Sequence, residues 1–235
     1  MARRSPRKKE GVPPPPRRSA APPPVNSAKR SSAETRRLLV VSGIAALVIL
    51  AIVLGIVLTR GGSASSATGR TIDWANLGAL QTGPPPWNNG SGTLSERLSQ
   101  LGLHDLSQEG TSIHIHAHLD VWVDGKKVTV PAGVGIAADN SFLTELHTHD
   151  TRGVLHVESP SHTTFTLGQF FGEWDVKLTP KCISTFCGKL TYYVDGQKAV
   201  GNPAQLTLKA HQEIALVFGP KPAKIPSSYA FQPGE

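Results

Sequence analysis

One stretch of the chain alternates between apolar and polar residues for twelve positions and reads IHIHAHLDVWVD. Only an extended strand, with its period of two, converts that alternation into two chemically distinct faces. The predicted apolar face carries Ile113, Ile115, Ala117, Leu119, Val121 and Val123, and the predicted polar face carries His114, His116, His118, Asp120, Trp122 and Asp124. Three imidazoles in succession on one face indicate a chemical role, and we expect that role to be metal binding.

A second histidine cluster lies further along, in the phrase ELHTHDTRGVLHVE. A four-residue turn at its centre would place His147 opposite His156 on two antiparallel strands. Opposite residues in such a pair have Cβ atoms about 5 Å apart, so His147, His149 and His156 would share one face within reach of a single ion. Asp150 and Glu158 are candidates to complete or orient the site.

The donor types limit which metal these histidines suit. Met1 is the sole methionine, which excludes a copper site with an axial methionine. Imidazole combined with carboxylate favours zinc or Cu(II), with Ni(II) and Fe(II) left open. His114 and His118 lie about 13 Å apart along one strand, so no single ion contacts both and at least one of them serves another purpose. We expect metal affinity to fall as the pH drops through the histidine range near about 6.5. The isolated histidines are predicted to be structural, namely His104, His162 and His211.

The N-terminal segment at 1–37 has a different composition from the rest of the chain. It holds eight of the nineteen prolines and eleven Lys or Arg against two Glu, a formal charge of +9, with almost no large apolar residue. Such a segment is predicted to be a disordered cytoplasmic tail. Thirteen Lys or Arg and fifteen Asp or Glu follow residue 59, so the high pI belongs to the tail. A positive charge confined to the tail favours contact with anionic lipids over nucleic-acid binding, and it identifies no protein partner.

A run of 21 residues without a charge, at 38–58, predicts a membrane-spanning helix within 38–59. The run is longer than the apolar region of a cleaved signal peptide, and basic residues are concentrated before it. We therefore expect a plasma-membrane protein with a cytoplasmic N-terminus, a linker at 60–92 and an extracytoplasmic domain at 93–231. An oxidising location would allow Cys182 and Cys187 to form a disulfide, with metal ligation as the alternative.

Turn and cap signals predict the order of elements in that domain. Thr93 begins a T-x-x-E capping box, Thr166 begins a T-x-x-Q one, and each precedes a short apolar stripe. The dipeptides Asp124-Gly125 and Asp195-Gly196 suit two-residue hairpins. Hairpin, helix, second hairpin and closing strand resemble the β-grasp arrangement across 112–219. The predicted fold class is α+β, with β-grasp-like antiparallel hairpins packed on a short helix, preceded by the disordered tail and one transmembrane helix.

Four phrases together also resemble an uncharacterised family of membrane-anchored bacterial and archaeal proteins: HIHAHL, LHTHD, GVLHVESP and FTLGQFF. That resemblance implies no particular activity. Enzyme motifs are not matched, because no His follows Asp150 as metallo-β-lactamases require and no Gly-x-Ser-x-Gly elbow is present. Three histidines and an open coordination position would suffice for catalysis by a metal-bound water, so an enzyme stays an alternative. The sequence favours a non-enzymatic domain that takes up, buffers or senses a transition metal. The other alternative is an envelope interaction or assembly module with structural or pH-responsive histidines.

Overall fold

The computed structural model describes residues 71–235. The predicted tail at 1–37, the predicted membrane span at 38–59 and the first part of the predicted linker lie outside the described residues. Across 71–235, no helix combines the length and the apolar character needed to cross a membrane.

Short helices and strands follow one another along the described part of the chain. In chain order they are α1 (Leu94–Leu101), β1 (Ile113–Val123), β2 (Lys126–Val128), β3 (Leu146–His147), β4 (Val154–Ser159), α2 (Leu167–Glu173), β5 (Cys182–Ile183), β6 (Phe186–Cys187), β7 (Leu190–Val194), β8 (Gln197–Lys198) and β9 (Glu213–Phe218), with 3-10 turns at Ser91–Thr93 and Pro203–Gln205.

The main sheet has seven strands and is organised around β1. Its order is β3-β4-β1-β9-β7-β8, with β2 also paired to β1. β1 pairs antiparallel with β4 through its first half and parallel with β9 through its second half. β5 and β6 form a separate two-stranded sheet.

The predicted fold class is wrong. The described residues form mostly sheet with a few short helices, rather than an α+β domain of β-grasp-like antiparallel hairpins on a helix, and no transmembrane helix is seen among them. The hairpin partners β2 and β8 are only three and two residues long, whereas the longest strand, β1, takes β9 as a parallel partner. Turn signals specify local hairpins, but they carry no information on which distant strands pair.

The alternation along β1 separates the main core from a second face, as the period of two predicts. Leu119 and Val121 join the main core together with Phe170, Phe171 and other residues around α2. On the other face, Trp122 packs in a small apolar cluster with Tyr193, Ala215 and Val217. The histidines of β1 lie on this second face, toward the N-terminal end of the strand.

Part of the predicted linker belongs to the core. Ile72, Leu77 and Trp87 are buried, and the Trp87 ring makes an edge-to-face contact with Trp174 at a centroid distance of 5.7 Å. The packed region therefore begins before Thr93. The irregular, Pro-rich sequence around these residues has no helical or strand period, so it gives no sign of this burial.

Cys182 and Cys187 lie opposite each other on β5 and β6 and are joined by a disulfide. We expect protein purified without reductant and then denatured to show no free thiol in a colorimetric titration. The bond should contribute about 2 kcal/mol to the free energy of unfolding, because it closes a small loop. Detection of two free thiols per chain would contradict the assignment.

Candidate metal centre

The hairpin of β3 and β4 places His147 directly opposite His156. This is the register that the four-residue turn predicts. The turn depends on Gly153, which has a φ of +85°, and a Cβ added there would lie 2.5 Å from the carbonyl oxygen of Leu119. Glycine alone fits both the positive φ and this close approach to β1.

The pairing of β4 with β1 extends the row of histidines. His116 lies opposite His156, and His114 lies opposite Glu158. Three neighbouring strands thus align His147, His156 and His116 across the sheet. The ring centroids of His147 and His156 are 5.1 Å apart, and those of His116 and His156 are 4.4 Å apart.

His149 and His114 complete a continuous group of rings. The His149 ring lies 4.5 Å from that of His156, and the His114 ring lies 5.0 Å from that of His116, measured between centroids. We use the name histidine cluster for the five imidazoles and the carboxylate that adjoins them: His114, His116, His147, His149, His156 and Glu158.

His147 is the most buried member of the histidine cluster, with no exposed surface. Its Nδ1 lies 3.0 Å from the carbonyl oxygen of Thr144. Since a carbonyl only accepts, Nδ1–H must donate, which leaves a lone pair on Nε2 in the neutral ring. That Nε2 is buried and has no hydrogen-bond partner among residues 71–235. Burial lowers the pKa of His147 to about 4, so the ring is neutral at pH 7.

His116 and Glu158 supply a neutral nitrogen and a negative charge. Burial, with the neighbouring His156 and His114, lowers the pKa of His116 to about 4. Burial acts to raise the pKa of Glu158, but the hydrogen bond with His156 and the nearby imidazoles outweigh it, so the pKa lies below its usual value. Glu158 is therefore an ionised carboxylate, only 1% exposed. One buried negative charge beside the neutral rings of His116 and His147 is a suitable environment for a cation.

Glu109 contributes a carboxylate that the sequence analysis missed. Its Oε1 lies 3.2 Å from Nε2 of His149 and 4.0 Å from Nε2 of His147. Both Glu109 and His149 are nearly half exposed, so they form the solvent side of the cluster. Glu109 precedes β1 in an irregular segment, where no periodic pattern could have identified it.

The distances within the histidine cluster allow two groups of three donors. His147, His149 and His156 each offer one ring nitrogen within 4.8 Å of the other two, and His114, His116 and Glu158 do the same with two nitrogens and an oxygen. Such sets lie close enough to converge on an ion after small side-chain movements, because ligands bound to one ion are separated by roughly 3.3 Å.

His118 lies apart from the histidine cluster. Its Nδ1 is 2.8 Å from a carboxylate oxygen of Glu213, its Nε2 is 2.9 Å from the carbonyl oxygen of Arg152, and its ring stacks on Tyr229 at 3.9 Å. His118 links β1, β9 and the C-terminal segment, and with Asp120 and Glu213 it forms a separate, buried group of possible donors.

Asp150 pairs with Arg152 in the hairpin turn, and among residues 71–235 it joins none of the close groups of metal-donor side chains. Its carboxylate accepts hydrogen bonds from the backbone N–H and the guanidinium of Arg152, at 2.8 and 2.7 Å. The side chain therefore stabilises the hairpin turn rather than the cluster. Of the isolated histidines, His104 pairs with Glu145 and His211 lies 3.0 Å from the backbone oxygen of Glu235, each outside the cluster.

Comparison of the chain with protein-family models, with curated proteins and with solved structures found no match. The chemistry of the histidine cluster is therefore the main guide to function.

Proposed function

We propose that the domain binds a transition-metal ion through His147, His149 and His156. The observation that carries this proposal is the buried Nε2 of His147. An uncompensated polar atom in the interior costs about 1 to 3 kcal/mol, and few native groups are left in that state without a role. A metal ion would satisfy this nitrogen and use the tautomer that the Thr144 carbonyl already selects.

The donor set favours zinc or Cu(II). Three imidazoles suit either ion, and Glu109 lies where it could supply a fourth ligand from the solvent side. The exposed position of His149 and Glu109 gives the ion a route from solvent. The Cys182–Cys187 disulfide supports an extracytoplasmic location, since such bonds persist mainly in oxidising compartments. Uptake, buffering or sensing of the ion are the roles that such a domain would serve.

The test compares metal binding by the full chain and by the variant His147→Asn/His149→Asn. After stripping with a chelator, each protein is dialysed against Zn(II) or Cu(II), and bound metal is measured by elemental analysis. We expect the variant to bind one ion fewer per chain, because two of three ligands are gone. Saturating metal should stabilise the wild type by about 2.7 kcal/mol at a hundredfold excess over Kd, and the variant by less.

The matched control is His104→Asn/His162→Asn, which removes two histidines outside the cluster and should leave the metal content unchanged. If the wild type retains no Zn(II), Cu(II) or Ni(II) more tightly than His147→Asn/His149→Asn, the metal proposal fails. The histidine cluster would then serve an interaction or assembly module as a structural or pH-responsive element.

A further inference from the structure

A second set of donor atoms lies around Glu158, whose carboxylate also offers an oxygen within 4.8 Å of donor atoms of His147 and Glu109. Glu158 Oε1 is 2.9 Å from His156 Nδ1, 3.7 Å from His114 Nε2 and 3.8 Å from His116 Nε2. Nε2 of His116 is in turn 3.1 Å from His156 Nδ1. Three imidazole nitrogens therefore surround one carboxylate oxygen, Oε1 of Glu158.

These separations match the spacing of ligands around a tetrahedral ion. With metal–nitrogen and metal–oxygen bonds of about 2.0 to 2.2 Å, neighbouring ligand atoms lie roughly 3.3 Å apart. The four measured distances, from 2.9 to 3.8 Å, lie on both sides of that value. His114, His116 and Glu158 each offer a donor atom within 4.8 Å of the other two, so small side-chain movements would bring them to one ion.

The strand register explains why the four groups meet. His116 and His156 form one cross-strand pair, and His114 and Glu158 form the next pair on the same face. Side chains at i and i+2 on two paired strands occupy the corners of a small rectangle. The sheet itself therefore holds the four donors, with no contribution from a loop.

The carboxylate supplies an independent indication of a ligand. Glu158 is 1% exposed, and its Oε2 has no hydrogen-bond partner within the described part of the chain. A buried carboxylate with an unpartnered oxygen is costly unless a further group compensates it. His114 is about half exposed and provides a path from solvent to this carboxylate.

We infer that the histidine cluster binds a second metal ion through His114, His116 and Glu158, with His156 shared between the two ions. Nδ1 of His156 serves the second ion and its Nε2 serves the first, so when both ions are bound the ring is an imidazolate and has released its N–H proton to solvent. The inference rests on the proposed function, because the first ion is the one held by His147, His149 and His156. The second ion has three nitrogen ligands and one oxygen ligand, a set suited to Zn(II) or Cu(II).

The test counts Zn(II) ions per full-length chain after dialysis, by elemental analysis, for the wild type and three variants. We expect two ions for the wild type, one for His114→Asn/Glu158→Gln and one for His147→Asn/His149→Asn. His156→Asn should weaken the binding of both ions by at least about tenfold, since each loses a ligand. Circular dichroism of each metal-free variant verifies that it is folded.

The outcomes separate this inference from the proposed function. If the wild type binds two ions and each double variant loses a different one, the result supports both the proposed function and the second ion. A single ion that only His147→Asn/His149→Asn loses would overturn the second ion and leave the first in place. A single ion that needs His114 and Glu158 as well would show one shared site and overturn the two-ion arrangement. Absence of bound Zn(II) in the wild type would remove both.

Discussion

Replacing Arg97 with alanine is expected to lower the free energy of unfolding by about 3 to 5 kcal/mol. The guanidinium of this residue is 2% exposed and donates to three backbone carbonyls, those of Gly90, Gly172 and Glu173, at 2.9 to 3.0 Å. Its Nη1 also lies 2.8 Å from a carboxylate oxygen of Asp175. One side chain thus joins the segment before α1 to the C-terminal end of α2.

The expected loss is large because the partners of Arg97 stay buried. Asp175 is 8% exposed, and burial already raises the pKa of its carboxyl. In the alanine variant this carboxylate has no cation nearby, and three interior carbonyls lose a donor. An uncompensated buried group costs far more than the net value of the intact pair.

Chemical denaturation of the full chain measures this effect, and Arg152→Ala is the matched control. Arg152 also pairs with two carboxylates, Asp150 and Glu235, but a third of its side chain is exposed. A pair with that exposure is worth about 1 kcal/mol or less. Equal losses in the two variants would contradict the role given to burial at Arg97.

Local features of the fold were predictable because adjacent residues determine them. Asp124-Gly125 and Asp195-Gly196 both form the expected tight turns, with φ between 50° and 77° at all four residues. The pairing of His147 with His156 followed from counting residues across one short turn. In each case the information lies within a few positions of sequence.

Long-range pairing was not predictable in the same way. The alternation in β1 shows that the strand has two faces, but it does not show that β9, about 95 residues later, pairs with it in parallel. The position of His118 shows the same limit, since its partner Glu213 comes from β9. Nothing in the sequence shows that His118 lies apart from the histidine cluster while His116, two residues earlier, belongs to it.

The two capping motifs show how tertiary contacts override a local signal. Thr166 and Gln169 form the reciprocal capping box that the sequence predicts. Thr93, by contrast, makes no cap, and its hydroxyl donates to Asp175 at 3.0 Å. The buried Arg97 network competes for the same hydroxyl, and Arg97 also contacts it directly.

The metal-free protein is expected to lose stability as the pH falls from about 6.5 toward 4, and His147 should account for about 3 kcal/mol of the loss. Burial lowers the pKa of this histidine to about 4 in the folded state, whereas the unfolded chain retains a value near 6.5. The unfolded state therefore binds more protons in this range, so acid favours unfolding. If His147 binds a metal as proposed, the same low pKa moves proton competition at its Nε2 below the range near about 6.5 that the sequence alone suggested.

His147→Asn isolates this contribution, because the asparagine N–H can still donate to the Thr144 carbonyl but does not titrate. Urea unfolding in the presence of a chelator should show that the wild type loses about 2 kcal/mol more than the variant between about pH 7.5 and pH 5. Subtracting the pH dependence of the variant from that of the wild type removes the contributions of groups that both proteins share. Glu213 is such a group, and burial raises its pKa. The exposed His162, changed to Asn, should leave the wild-type pH dependence unaltered. Parallel pH profiles for the wild type and His147→Asn would show that burial does not hold His147 neutral. The low pKa would then no longer support a free lone pair on Nε2 of His147.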